Sequence, residues 1–141
     1  MSAEFFEPSD DDYTALAKRW LSISNLVKED YGYELNQSIG DLEYLQKVID
    51  DDLIDAQNRY ATESLGVAFG RVLASNETGM DWWVVVDDFG RDIVIRYKDT
   101  TLQLDAMHMI GKRLEDGVRV NVRELYDGLM EKVHEVKNEV D

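Results

Sequence analysis

The stretch Trp82–Tyr97, WWVVVDDFGRDIVIRY, constrains this chain more than any other. β-Branched and aromatic residues crowd both of its halves, and such side chains suit a pleated, half-buried surface. Between the halves, Asp87-Asp88-Phe89-Gly90 has turn chemistry, with Gly90 suited to a positive φ. A hairpin closed by these four residues pairs Val86 with Arg91, Val84 with Ile93 and Trp82 with Ile95. Alternation then puts Trp82, Val84, Ile93, Ile95 and Tyr97 on a core face. Trp83, Val85, Asp92, Val94 and Arg96 share the opposite one.

Two strands are not stable alone, so the flanking segments must supply helices to cover them. Ser9 with Asp12 reads as a capping box for a helix from about Asp10 to Lys28. Tyr13, Leu16, Ala17, Trp20, Leu21 and Ile23 or Ser24 recur along it at helical spacing. Residues 1–8, which end at the single proline Pro8, read as a flexible tail outside the fold. Ser38 with Asp41 opens a second helix whose stripe, Ile39, Leu42, Leu45, Val48, Ile49, Leu53 and Ala56, runs to about Tyr60. Asp50, Asp51, Asp52 and Asp55 fall inside it, between core positions. A third helix carries Leu65, Ala68, Phe69, Val72 and Leu73, and Gly66 and Gly70 leave a bare strip for close packing.

After the hairpin, Thr101–Leu104 alternates like a short third strand. Asp105 reads as the N-cap of a helix from Ala106 to Glu115, stopped by Asp116-Gly117. Asn121 with Glu124 opens a last helix from about Val122 to Val140, with Leu125, Leu129, Val133 and Val136 inward. The expected class is α+β, with N-terminal and C-terminal helices packed on a small antiparallel sheet around the hairpin at 82–97. With 141 residues and no linker, the chain reads as one domain spanning 1–141.

Charge narrows the function. Thirty acidic residues stand against fifteen basic ones, a formal net charge of −15. Nucleic acid and anionic membranes both require clustered cations, so neither is an expected partner. There is no cysteine, no apolar run that spans a bilayer and no export signal at the N-terminus, which points to a cytoplasmic protein. His108 and His134 each lack a second histidine one turn away, and Asp51 and Asp55 on a rigid helix do not wrap a calcium ion. No metal or cofactor is expected, and no Gly-x-Ser-x-Gly elbow or phosphate loop occurs. An enzyme would require a deep pocket that gathers His108 with two or more carboxylates.

Several local patterns occur together: LGVAFGRVL, a Gly-x-x-Trp, an acidic hairpin turn with glycine, and a helix reading IGKRLEDG. In this combination the chain resembles the bacterial domain of unknown function 3806 family over about residues 65–129. The matching positions are Leu65, Gly66, Gly70, Trp82 or Trp83, Asp87, Gly90, Ile110, Lys112, Arg113, Glu115 and Gly117. It departs from the pattern at Asp105-Ala106, where a proline would precede the helix. The resemblance implies a fold of this type and supplies no catalytic residues.

In size and charge the chain also resembles the immunity proteins of bacterial toxin systems, with no motif behind that likeness. The expectation is a non-enzymatic acidic binding protein that neutralises a cognate cationic toxin such as a nuclease. Asp50, Asp51, Asp52, Asp55, Asp87 and Asp88 would supply the charge, with Trp83 as an anchor. The alternative is a self-associating structural or regulatory domain, a homodimer joined through a sheet face or the Gly66/Gly70 strip.

Overall fold

The hairpin forms as the sequence predicts and serves as the middle of a four-stranded antiparallel sheet. In the computed structural model, which describes residues 3–140, the strands are β1 (Glu4–Phe6), β2 (Met80–Asp87), β3 (Gly90–Tyr97) and β4 (Gln103–Leu104), in that spatial order. The register pairs Val86 with Arg91, Val84 with Ile93 and Trp82 with Ile95. Asp87 also pairs with Gly90, so the turn is two residues tighter than expected. Gly90 has φ 121°, a value that L side chains rarely adopt, and the Phe89 amide donates to Asp87 Oδ1 at 2.8 Å.

The expected tail at residues 1–8 is overturned at Glu4–Phe6. This segment pairs with Val84–Val86 as an edge strand, and Pro8 is buried. The physical reason is the free edge of β2, which offers a ladder of backbone groups that an alternating Glu-Phe-Phe can satisfy.

The helices are α1 (Asp10–Tyr31), α2 (Asp41–Asp50), α3 (Arg59–Asn76), α4 (Ala106–Glu115) and α5 (Val122–Val140). The Ser9–Asp12 capping box opens α1, and Gly32 closes it at φ 66° with its amide on Lys28 O. Leu16, Ile23 and Val27 are its buried stripe, while Tyr13 and Leu21 are exposed despite their spacing.

The predicted helix from Ser38 to Tyr60 is cut short to α2, and residues 51–58 form a loop that leads into α3. Helix α2 stops at Asp50, because Asp51 and Asp52 meet the negative carbonyl end of the helix and aspartate tolerates the left-handed region. Asp52 takes φ 54°, and the Leu53 amide turns back onto Val48 O at 3.1 Å. Asn58 then caps α3 through the Ala61 amide at 3.1 Å.

Helix α3 is the hub, buried on nearly all sides against α1, α4 and the inner sheet face. Gly66 is what lets α4 approach, since a methyl group there would stand 2.1 Å from Met107 O. Gly70 makes room for the Trp82 ring in the same way, so the glycine strip is consumed by packing. Phe69 and Tyr126 meet edge-on at 6.3 Å and tie α5 to the hub. Along α5 the buried residues are Val122, Tyr126, Met130 and Val133, with Leu125, Leu129 and Val136 half-buried beside them.

Candidate interaction surfaces

The six predicted aspartates do not form one surface. Asp12, at the start of α1, holds Arg91 in β3 through two bonds of 3.0 and 2.7 Å. Tyr31, at the other end of α1, donates to Asp51 at 2.5 Å. Nineteen residues of helix separate these two anchors, or about 28 Å at 1.5 Å per residue. Asp87 and Asp88 therefore lie at one end of the molecule, and Asp50, Asp51, Asp52 and Asp55 at the other.

The second group is largely occupied with local structure. Asp50 accepts from Gln46, Asp51 from Tyr31, and Asp55 from the Gln57 amide. Asp51 and Asp52 terminate α2 and Asp55 lies in the loop beyond, so these residues are not on the helix that the sequence suggested. Desolvation and the Asp51 carboxylate push the Tyr31 hydroxyl up to about 12.

The hairpin end is different. The Arg91 guanidinium holds Asp12 down to about 2 and locks the first turn of α1, with Asp10 and Asp11, to the base of the hairpin. At the tip, Phe89 is 96% exposed. An apolar ring so placed, on a turn closed by Gly90 and Asp87, is a feature that sequence reasoning passed over. The signal was present as a phenylalanine in a turn that needed only polar residues.

Trp83 lies on the outer sheet face and is half-exposed. The Arg96 guanidinium is 4.8 Å from the Trp83 ring centre and 3.9 Å from that of Phe5. Arg96 Nε also donates to Thr100 O at 2.6 Å, which fixes the stem so that Val85 and Val94 are buried beneath. Asp81, Asp87 and Asp92 share this face by alternation and rim it with negative charge.

His108 is the centre of a half-buried ion cluster. Its Nδ1 lies 2.9 Å from Asp105 Oδ1 and its Nε2 2.8 Å from Glu63 Oε2. Glu63 Oε1 also accepts from Arg19 at 2.9 and 3.1 Å. The Asp105 bond raises the imidazole above its ordinary value against burial, and Glu63 adds to it. Burial pushes Glu63 up, but the bonds from His108 and Arg19 outweigh it and leave the carboxyl low. Asp105 stands at the N-cap of α4 as predicted, yet its side chain serves His108 and makes no cap bond. His108 itself lines a cavity with Arg59, Thr62, Lys112 and Glu115, but it is only about 160 Å³, well under the roughly 300 Å³ at which small-molecule sites begin.

Among the described residues no group of three or more His, Asp or Glu side chains is arranged to hold a metal ion. No helix there is long and apolar enough to cross a membrane.

Fold and surfaces together define a small α+β domain whose distinguishing features are an acidic hairpin end with an exposed Phe89 and a half-exposed Trp83 on the outer sheet face. The chain belongs to a family described as a domain of unknown function, DUF3806, whose model matches residues 41–126. The match begins at α2, earlier than the motif resemblance reached. No curated protein matches this chain. It is similar to a protein from Bacteroides thetaiotaomicron with a crystal structure at 1.50 Å resolution, with a TM-score of 0.85 and 20% identity. That similarity covers 94% of this chain and 48% of the other, so this chain spans about half the length of that protein. At such identity the likeness shows the fold alone.

Proposed function

We propose that this chain is a non-enzymatic, cytoplasmic binding protein of immunity type, which seats its acidic hairpin end in the electropositive cleft of a protein toxin such as a nuclease. The observation that carries the reading is Phe89, exposed at 96% on a tight turn between Asp88 and Gly90. Burying such a ring in a partner contributes about 1.5–3 kcal/mol, and the surrounding carboxylates steer a basic partner toward it. Asp10, Asp11, Asp87 and Asp88 supply that field, with the half-exposed Trp83 on the adjoining sheet face as a second contact. Edge strands of three and two residues give little room for strand addition, which favours the hairpin and the face over an edge.

The His108 cluster supports a structural role rather than catalysis. Both imidazole nitrogens are engaged by carboxylates, so neither is left to take a proton from a substrate. Self-association is the second reading, favoured by the half-exposed Trp83 on the outer sheet face; a stable homodimer in sedimentation without any partner would support it.

The test is co-expression with the protein encoded beside this chain's gene, followed by binding kinetics on the purified pair. Phe89→Ala, and separately Asp87→Asn with Asp88→Asn, should weaken the complex at least tenfold, on the order of 1.4 kcal/mol. Asp51→Asn with Asp55→Asn should leave it unchanged. An association rate indifferent to salt, or full affinity in the Phe89 variant, would refute the proposal.

A further inference from the structure

We propose that the groove between α2 and the segment joining α4 to α5 binds a small amphiphilic anion, a carboxylate or phosphate carried on an apolar body. The groove is open to solvent and offers about 610 Å³, within the range of roughly 300–1,000 Å³ typical of small-molecule sites. Ile39, Leu42 and Val120 line it with apolar surface, and Lys47, Arg119 and Arg123 belong to the same lining. Glu43 and Asp50 also line it, so its side chains carry a net positive charge in a chain of net charge −15.

These charges are unequally engaged. Asp50 accepts from Gln46 at 3.0 Å, Arg123 holds Asp127 at 3.1 Å, and Lys47 lies 3.9 Å from Glu43. Arg119 is exposed and makes no hydrogen bond or ion pair among the described residues. Its planar fork, with five donors, matches a carboxylate or phosphate.

Gln46 fixes the width of the groove. Its Oε1 accepts from the Val122 amide at 2.7 Å, and its Nε2 donates to Val120 O at 3.0 Å. One side chain of α2 thus clamps the opposite wall, so the site is preorganised. Because Gln46 takes the first amide of α5, a ligand's charge is met by the arginines and Lys47 rather than by the helix end. The apolar lining demands a body of matching size, which separates this ligand class from free inorganic phosphate. The site is independent of the hairpin end and of any toxin.

The experiment is a titration of the ¹⁵N-labelled chain with phenyl phosphate and with hexanoate, read by amide chemical shifts, and benzyl alcohol as the neutral control. Saturable shifts confined to Gln46, Arg119, Val120 and Asn121 are expected with at least one of the anions. Saturation by one anion alone identifies the preferred head group. Benzyl alcohol should bind at least tenfold more weakly. Arg119→Ala with Arg123→Ala, both at exposed positions, should weaken binding at least tenfold while the remaining amides keep their positions. Absence of saturable shifts with both anions, equal binding of benzyl alcohol, or unchanged affinity in the double variant would overturn the assignment.

Discussion

Gly66 on α3 is where the packing is most sharply testable. A methyl group added there would stand 2.1 Å from the carbonyl oxygen of Met107, 2.6 Å from its carbon and 2.8 Å from the carbonyl oxygen of Ala106. Ordinary carbon–oxygen contact is about 3.3 Å, so α4 must retreat by about 1 Å. The obstacle is helical backbone, which no rotamer change relieves. Overpacking of this kind costs about 3 kcal/mol at the upper end of its usual range. Alanine returns about 1 kcal/mol through its better helix propensity. Gly66→Ala should therefore lose about 2 kcal/mol net, or about 8 °C in melting temperature for a domain of this size. Gly128 in α5 has nothing within 4 Å of the same methyl, so Gly128→Ala should gain about 0.5–1 kcal/mol. Thermal and urea unfolding of both variants measure this directly. If Gly66→Ala melts within about 1 °C of the parent, the account of α3–α4 packing is wrong.

The ion cluster predicts a pH dependence. His108 is raised above its ordinary 6.5, so its contribution is whole below that pH and is lost as pH rises through the higher folded value. Glu63 and Asp105 are lowered from 4.5 and 3.8, so their contributions are whole above those values and are lost as pH falls through the folded ones. Urea unfolding should show the deficit of His108→Gln shrinking between pH 6 and pH 9; a constant deficit would mean that the imidazole is not charged. Asp12→Asn removes one side of the capping box and the Arg91 pair, and should cost about 1 kcal/mol at neutral pH by the same measurement. The parent should keep this contribution down to acid pH, since Asp12 is held to about 2. Asp52→Gly should stabilise by about 0.5–1 kcal/mol, because glycine takes φ 54° without strain and removes a charge from the negative end of α2; loss of stability would mean that the Asp52 side chain does unseen work.

The elements written in side-chain pattern were legible in the sequence. The hairpin register followed from the positions of Val84, Ile93 and Ile95, and α5 began after Asn121 because its capping oxygen holds the Glu124 amide at 3.0 Å. Features set by tertiary context were not. The stripe from Ile39 to Ala56 is continuous, yet the chain reverses within it at Asp52, since apolar periodicity does not register backbone handedness. Strand β1 is too short to show alternation and exists because β2 has a free edge. The same limit applied to the site. The aspartates could be counted, but their division between the two ends of α1 depends on Arg91 and Tyr31, which are distant in sequence from one another. Phe89 was visible as a residue, whereas its exposure belongs to the turn.

The pairing of Phe5 with Val85 also sets an order of events during synthesis. Strand β1 must wait for its neighbour until about eighty more residues have been made, on the order of 4–16 seconds at ordinary elongation rates. During that interval two adjacent phenylalanines are unprotected in a nascent chain. Glu4, Glu7 and Pro8 flank them, the kind of residues that keep short apolar segments from pairing with one another. Strand β1 thus precedes α1, α2 and α3 in the chain yet joins the sheet only after all three have been made.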